Sequence, residues 1–144
     1  MKRLENKMSV VTGASEGIGF EVAKAFVAEG ARVAMLARGR EKLLAAAASL
    51  GEAALPLVAD VGSTEQMEAA FAAILEEFGR VDVLVNNAAV AIPGDITEDG
   101  DAEWNRLLNI NLLGVFRGIK LAMPSMLAQR SEERRVGKEC ATGC

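Results

Sequence analysis

A chain of 144 residues, 51% hydrophobic and 25% charged, has the size and balance of one globular domain with an adequate core, which excludes a disordered or fibrous polypeptide. A formal net charge of −4 gives no electrostatic footprint for nucleic acid or an anionic membrane, so neither is expected as a partner. No apolar run reads as a membrane span, the basic start Met1-Lys2-Arg3 lacks the apolar segment of a signal peptide, and both cysteines, Cys140 and Cys144, fall in the last five residues, so a cytoplasmic location is expected.

Strand and helix patterns alternate along the chain, the mark of a parallel sheet covered by helices on both faces. Met8 to Thr12 reads as the first strand. The first helix runs from Gly17 to Glu29 with Ile18, Val22 and Phe26 on one face, and Gly30 stops it. Arg32 to Ala37 is a mostly apolar run suited to a strand buried on both sides. Leu43, Ala47 and Leu50 form the stripe of a helix from Arg40 to Leu50. Ala54 to Ala59 is the third strand, and its Pro56, which cannot donate to a ladder, places it at a sheet edge. The expected fold class is therefore α/β, a Rossmann-like doubly wound parallel sheet of about four strands in the order 3-2-1-4.

Ser63-Thr64-Glu65-Gln66 is a capping box for the next helix, whose buried face carries Met67, Phe71, Ile74 and Phe78 and which ends at Gly79. Val81 to Val85 is the fourth strand and delivers Asn86-Asn87-Ala88-Ala89 at the end of the sheet where open α/β folds hold ligands. After a polar loop, a long helix from about Ala102 to Gln129 presents Leu108, Leu112, Val115, Ile119 and Met123 as its apolar stripe.

Between the first strand and first helix lies Thr12-Gly13-Ala14-Ser15-Glu16-Gly17-Ile18-Gly19. A strand that breaks into glycines and then starts a helix gathers backbone N–H groups at the positive end of the helix dipole, a place for a pyrophosphate. Gly13 suits a backbone conformation closed to other residues, Gly17 leaves room for a ligand, and Gly19 lets the helix approach its strand. Taken alone, the G-x-x-x-G-x-G spacing equally fits a tight strand-to-helix connection.

Over about the first 129 positions the chain resembles the short-chain dehydrogenases/reductases. Thr12 to Gly19 matches the family's T-G-x-x-x-G-x-G cofactor loop, and Asn86-Asn87-Ala88-Ala89 matches its N-N-A-G signature except at the last residue. Asp60-Val61 falls on the Asp-Val pair that contacts adenine, and Asn109-Ile110-Asn111-Leu112 falls on the segment with the active-site asparagine. The resemblance implies cofactor contacts at Gly13, Ala14, Ser15, Glu16, Gly17, Ile18, Gly19, Arg38, Asp60, Val61, Asn87 and Ala88. It implies a catalytic role for Asn111, which would interrupt a helix and hold a water of the proton relay. Without the motif, Asn111 reads as a polar residue satisfied at a helix bend.

The end of the second strand bears on cofactor choice. NAD-selective folds place a carboxylate there to accept from the ribose hydroxyls, and it repels a 2′-phosphate. Here the chain reads Ala37-Arg38-Gly39-Arg40. With no carboxylate and a guanidinium in reach, NADP(H) is expected over NAD(H). Glu16 weighs against this, because NADP-preferring relatives often carry a basic residue there, and the alternative for Arg38 is a solvated charge at a helix start.

The resemblance further implies hydride transfer between the nicotinamide and a small-molecule alcohol or carbonyl, in a full-length protein that is a homo-oligomer. The family's Ser and Tyr-x-x-x-Lys would follow Gln129, and the chain contains no Tyr and no His. Arg130 to Cys140 is instead similar to one reading frame of a common DNA-sequencing adapter. Residues 1–129 are thus expected to be the N-terminal part of a Rossmann domain, and 130–144 a non-native end whose two thiols are too few for structural zinc. The other class left open is a non-catalytic nucleotide-sensing module.

Overall fold

In the computed structural model, which describes residues 2–129, the elements follow one another as the alternation requires. They are β1 (Met8–Thr12), α1 (Gly17–Ala28), β2 (Arg32–Ala37), α2 (Arg40–Leu50), β3 (Ala54–Val58), α3 (Thr64–Phe78), β4 (Val83–Val85), α4 (Asp101–Leu108) and α5 (Gly114–Gln129). The suspected non-native end, 130–144, lies outside the described residues. All pairings are parallel and the strand order is β3-β2-β1-β4, with Val10 opposite Ala34 on one side and Leu84 on the other. Pro56 sits on the edge strand β3, in register with Met35.

Successive strand residues point to opposite faces, so β1 and β2 feed two cores. Val10, Ala34 and Leu36 pack with Met67, Phe71, Ile74 and Phe78 of α3 and Ala122 of α5. Val11, Val33 and Met35 pack with Ala23 of α1 and with Leu43 and Ala47 of α2. The central strands β1 and β2 are mostly apolar because both their faces are covered, whereas β3 and β4 are half-buried and Val58 at the end of β3 is exposed.

Two helix faces differ from those the periodicity suggests. Ile18 is 77% exposed, and α1 buries Gly19 and Ala23 instead, with Val22 and Phe26 half-buried. On the long helix, Leu108, Leu112, Ile119 and Met123 are exposed, Val115 is half-buried, and the buried residues are Ile110, Gly114, Gly118 and Ala122. Small residues face inward because the helix lies very close to the sheet. A Cβ on Gly118 would stand 2.5 Å from Asn86 Oδ1, and one on Gly114 would stand 3.0 Å from Val61 Cγ2. Periodicity finds the largest apolar side chains, whereas close approach selects the smallest.

The expected helix from Ala102 to Gln129 is also not uniform, for Asn109–Leu113 forms a π-helical turn between α4 and α5. Such turns widen a helix locally and occur often at functional sites. By length and composition alone, Asp101–Gln129 would be long and apolar enough to cross a membrane. Polar side chains nevertheless tie it to the flank of the sheet: Ser125 Oγ accepts the Val81 N–H at 2.9 Å, and Gln129 donates to the Val81 carbonyl at 2.9 Å.

The base of β4 holds a buried charge. Asp82 is 3% exposed, accepts the Met8 N–H at 2.7 Å, and pairs with Arg80 Nε at 3.0 Å. Removing the carboxylate leaves the part-buried Met8 N–H without its acceptor, while Arg80, being partly exposed, resolvates. Asp82→Ala is therefore expected to cost about 2 kcal/mol, and urea unfolding compared with the wild type checks it.

Candidate cofactor-binding site

The cleft lies at the C-terminal ends of the strands, where the helices on the two faces diverge. Its volume is about 670 Å3. Of the residues singled out from the sequence, Gly13, Ser15, Glu16, Arg38, Asp60, Val61, Asn87 and Ala88 line it. Ala14, Gly17, Ile18, Gly19 and Asn111 do not line this cavity. Ala14 is fully buried and donates its N–H to the Leu36 carbonyl at 3.1 Å, so its amide serves the β1–β2 junction.

The glycine bend is held from β4. Asn87 Nδ2 donates to the carbonyls of Thr12 and Gly13 at 3.0 and 3.1 Å. The hydroxyl of Thr12 in turn accepts the backbone N–H groups of Asn87 and Ala88, both at 3.0 Å. Gly13 has φ +65°, and a Cβ there would come within 2.9 Å of Ala88 Cα. Thr12 and the amide of Asn87 therefore shape the floor of the cleft; the sequence signal for that role was their place in the two matched motifs.

The first turn of α1 suits an anion. Glu16 precedes it without a side-chain cap, and the turn contains no acidic residue, so its amides remain available. Gly17 has φ +60° and nothing within 4 Å of where a Cβ would be, which leaves the backbone open to a close ligand. On these observations the bend fits a dinucleotide's phosphates.

Opposite, the segment after β3 is braced twice. Ser63 Oγ caps α3 by accepting the Gln66 N–H at 3.3 Å, but Gln66 Oε1 accepts from the Asp60 N–H at 3.0 Å. The capping box thus reaches back to Asp60, whose Oδ1 accepts the Gly62 N–H at 2.7 Å. Arg117, which no sequence motif marks, donates to the Val61 carbonyl at 3.0 Å, to the Asn109 carbonyl at 3.0 Å and to Asn109 Oδ1 at 2.7 Å. Asn109 Nδ2 donates to the Gly62 carbonyl at 2.9 Å. The wall made by Asp60 and Val61 is therefore fastened to the π turn.

Asn111 sits in that turn. Its Oδ1 accepts the Val90 N–H and its Nδ2 donates to the Val90 carbonyl, both at 2.8 Å. The side chain clamps the strand exit after Ala88, and Val90 lines the cleft. Farther along that loop, Asp95 accepts from the Thr97 N–H at 3.0 Å and its hydroxyl at 2.9 Å, which holds the exposed carboxyl below its ordinary pKa.

Arg38 is exposed at the cleft mouth beside Gly39 and Lys42, and no carboxylate occupies the end of β2. Lys42, four positions after Arg38, also lines the cleft and pairs with Glu16 at 2.9 Å. Sequence reasoning passed over Lys42, which lies in the first turn of α2 just beyond the extended Gly39 N-cap.

A doubly wound sheet whose glycine bend, strand ends and braced walls converge on one cleft defines a Rossmann-type nucleotide-binding fold. The family model for short chain dehydrogenase matches residues 7–136, and the chain belongs to that family. It is 38% identical over 127 residues to the galactitol 2-dehydrogenase of Agrobacterium fabrum, covering 88% of this chain and 50% of that protein. It is 36% identical over 128 residues to a 3-oxoacyl-(acyl-carrier-protein) reductase of Vibrio harveyi, covering 89% and 52%. Among solved structures, a short-chain dehydrogenase/reductase of Brucella melitensis described as glucose/ribitol dehydrogenase superposes with TM-score 0.83 at 40% identity, covering 87% of this chain and 55% of that one. A 3-ketoacyl-(acyl-carrier-protein) reductase from the same organism, solved with NADH, gives TM-score 0.83 at 34% identity, covering 85% and 51%. The chain spans about half the length of the curated relatives it matches.

Proposed function

We propose that this chain is the cofactor-binding part of an oxidoreductase that transfers hydride between NADP(H) and the alcohol or carbonyl of a small molecule. The observation that carries the reading is the cleft mouth: a guanidinium at Arg38, an ammonium at Lys42, and no carboxylate where a ribose-binding acid would stand. In this reading Gly13 and the first turn of α1 hold the linked phosphates, Arg38 meets a 2′-phosphate, and Asp60 and Val61 border the adenine. Asn87 and Ala88 set the opposite wall. When bound, the nicotinamide supplies or accepts the hydride.

Asn111 belongs to the proton-relay side. Both polar atoms of its side chain are engaged by Val90, so a relay water would be met by the backbone of its π turn. Protonating a nascent alkoxide needs a positioned acid, and the 144 residues include no tyrosine. The polypeptide by itself is expected to bind cofactor without turning over any alcohol.

Isothermal titration of the folded chain with NADPH and with NADH tests the reading. NADPH is expected to bind roughly tenfold more tightly, the worth of one charge-assisted contact. Tighter binding of NADH would overturn the cofactor assignment, and binding of neither would overturn the nucleotide site itself.

A further inference from the structure

Arg117 lines no part of the cofactor cleft; it is half-buried in a separate groove of about 250 Å3 between α3 and α5, which it shares with Thr64, Glu68, Phe116 and Lys120. From there its planar guanidinium reaches Thr64 Oγ1 at 2.9 Å, the carbonyls of Val61 and Asn109 at 3.0 Å, and Asn109 Oδ1 at 2.7 Å. A rigid fork of this kind fixes geometry as well as charge. It holds the Asn109 amide with Nδ2 turned to the Gly62 carbonyl, 2.9 Å away. The turn from Asp60 to Gly62 has little slack against that amide, since a Cβ on Gly62 would stand 3.0 Å from Asn109 Nδ2 and 3.1 Å from Asp60 Oδ1. The glycine bend is held by other means, through Asn87 on the carbonyls of Thr12 and Gly13, and the bonds of Arg117 do not reach it.

We propose that Arg117 is a positioning residue for the adenosine end of the cofactor. It grips Val61 directly and Gly62 through Asn109, and so holds in place, from outside the cleft, the wall that borders the adenine. This rests on the reading of Asp60 and Val61 given above and adds to it the residue that keeps them ready. Without the guanidinium the Val61 carbonyl and the Asn109 amide lose their partner, the amide is free to turn, and the wall must be ordered each time a nucleotide enters. That ordering opposes the binding of adenosine and leaves phosphates at the bend unaffected. Lys120, an exposed cation in the same groove, allows positioning to be told apart from charge.

Titration of the folded chain with ADP and with inorganic pyrophosphate, in the wild type, Arg117→Met, Arg117→Lys and Lys120→Met, is the test. ADP meets both the bend and the wall, whereas pyrophosphate meets the bend alone. Arg117→Met is expected to weaken ADP about fivefold to tenfold and to leave pyrophosphate within about twofold. Arg117→Lys keeps the charge without the fork and is expected to weaken ADP about threefold. Lys120→Met removes one positive charge from the same groove and is expected to leave both ligands within about twofold. Unchanged ADP affinity in Arg117→Met, an equal loss for both ligands, or as large a loss of ADP in Lys120→Met overturns the role of Arg117 and leaves the nucleotide site standing. A wild type that binds ADP no more tightly than pyrophosphate overturns the adenine wall and this inference together. Should circular dichroism show Arg117→Met to be unfolded, Arg117→Lys is judged by the same criteria.

Discussion

Gly19→Ala is expected to destabilise the domain by about 3 kcal/mol and to abolish binding of NADPH. The added Cβ would collide with the Gly13 carbonyl oxygen and stand 2.9 Å from the Gly13 carbonyl carbon and 2.5 Å from Asn87 Nδ2. Two of those atoms are backbone and cannot swing aside. The third belongs to an amide that holds the carbonyls of Thr12 and Gly13, so relief there breaks the brace on the bend. Overpacking of this kind costs about 1–3 kcal/mol, and each lost hydrogen bond adds about 1 kcal/mol. Against a total stability of roughly 5–15 kcal/mol the domain stays folded, so binding is lost because the bend is displaced and not because the chain unfolds. Gly17→Ala is the control for stability alone, because a Cβ there meets no protein atom within 4 Å and carries only the strain of φ +60°, while it fills space a ligand at the bend would use. Urea unfolding of both variants and NADPH titration of Gly19→Ala decide the matter. A Gly19→Ala protein as stable as Gly17→Ala, with native affinity, would contradict the packing of α1 on the bend.

Arg38→Asp is expected to invert cofactor preference. The substitution removes the one guanidinium at the end of β2 and puts there the carboxylate that suits a ribose diol. Loss of a charge-assisted contact and gain of a repulsion act in the same direction on NADPH. Together they should weaken NADPH by about a hundredfold, with NADH unchanged or tightened severalfold. Arg38 is exposed and its side chain makes no hydrogen bond or ion pair among the described residues, so stability should move by less than about 0.5 kcal/mol. Titration with the two reduced nucleotides, alongside thermal unfolding, checks both halves. Equal weakening of NADPH and NADH would place Arg38 elsewhere than beside the ribose.

Much of the site could be read from the sequence because its parts are short and local. The bend from Thr12 to Gly19 needs only a strand, glycines and a helix start in succession, and Pro56 marks an edge strand wherever the rest of the sheet lies. The buried face of α3 is carried by Met67, Phe71, Ile74 and Phe78, as periodicity suggests, because that helix packs through large side chains. The same reasoning misjudged α1 and α5. There the helix axis approaches the sheet so closely that Gly19, Ala23, Gly114, Gly118 and Ala122 take the inward positions. Large residues such as Ile18 and Leu112 are left outside. Periodicity weighs hydrophobicity and has no term for interaxial distance.

By itself the amino-acid sequence determined the order of strands and helices and the place of the glycine bend, since each follows from backbone preferences and side-chain period within a few residues; the 3-2-1-4 sheet was expected from the doubly wound rule for alternating strands and helices, with Pro56 marking the edge. Only the tertiary structure decided how the bend is held and charged. Asn87 reaches the Gly13 carbonyl from 74 positions away, Arg117 reaches the Val61 carbonyl from 56, and Glu16 meets Lys42 from 26. The physical reason is one of range. A hydrogen bond or ion pair depends on distances of about 3 Å between atoms, and for residues far apart in the chain those distances are set by the packing of whole elements.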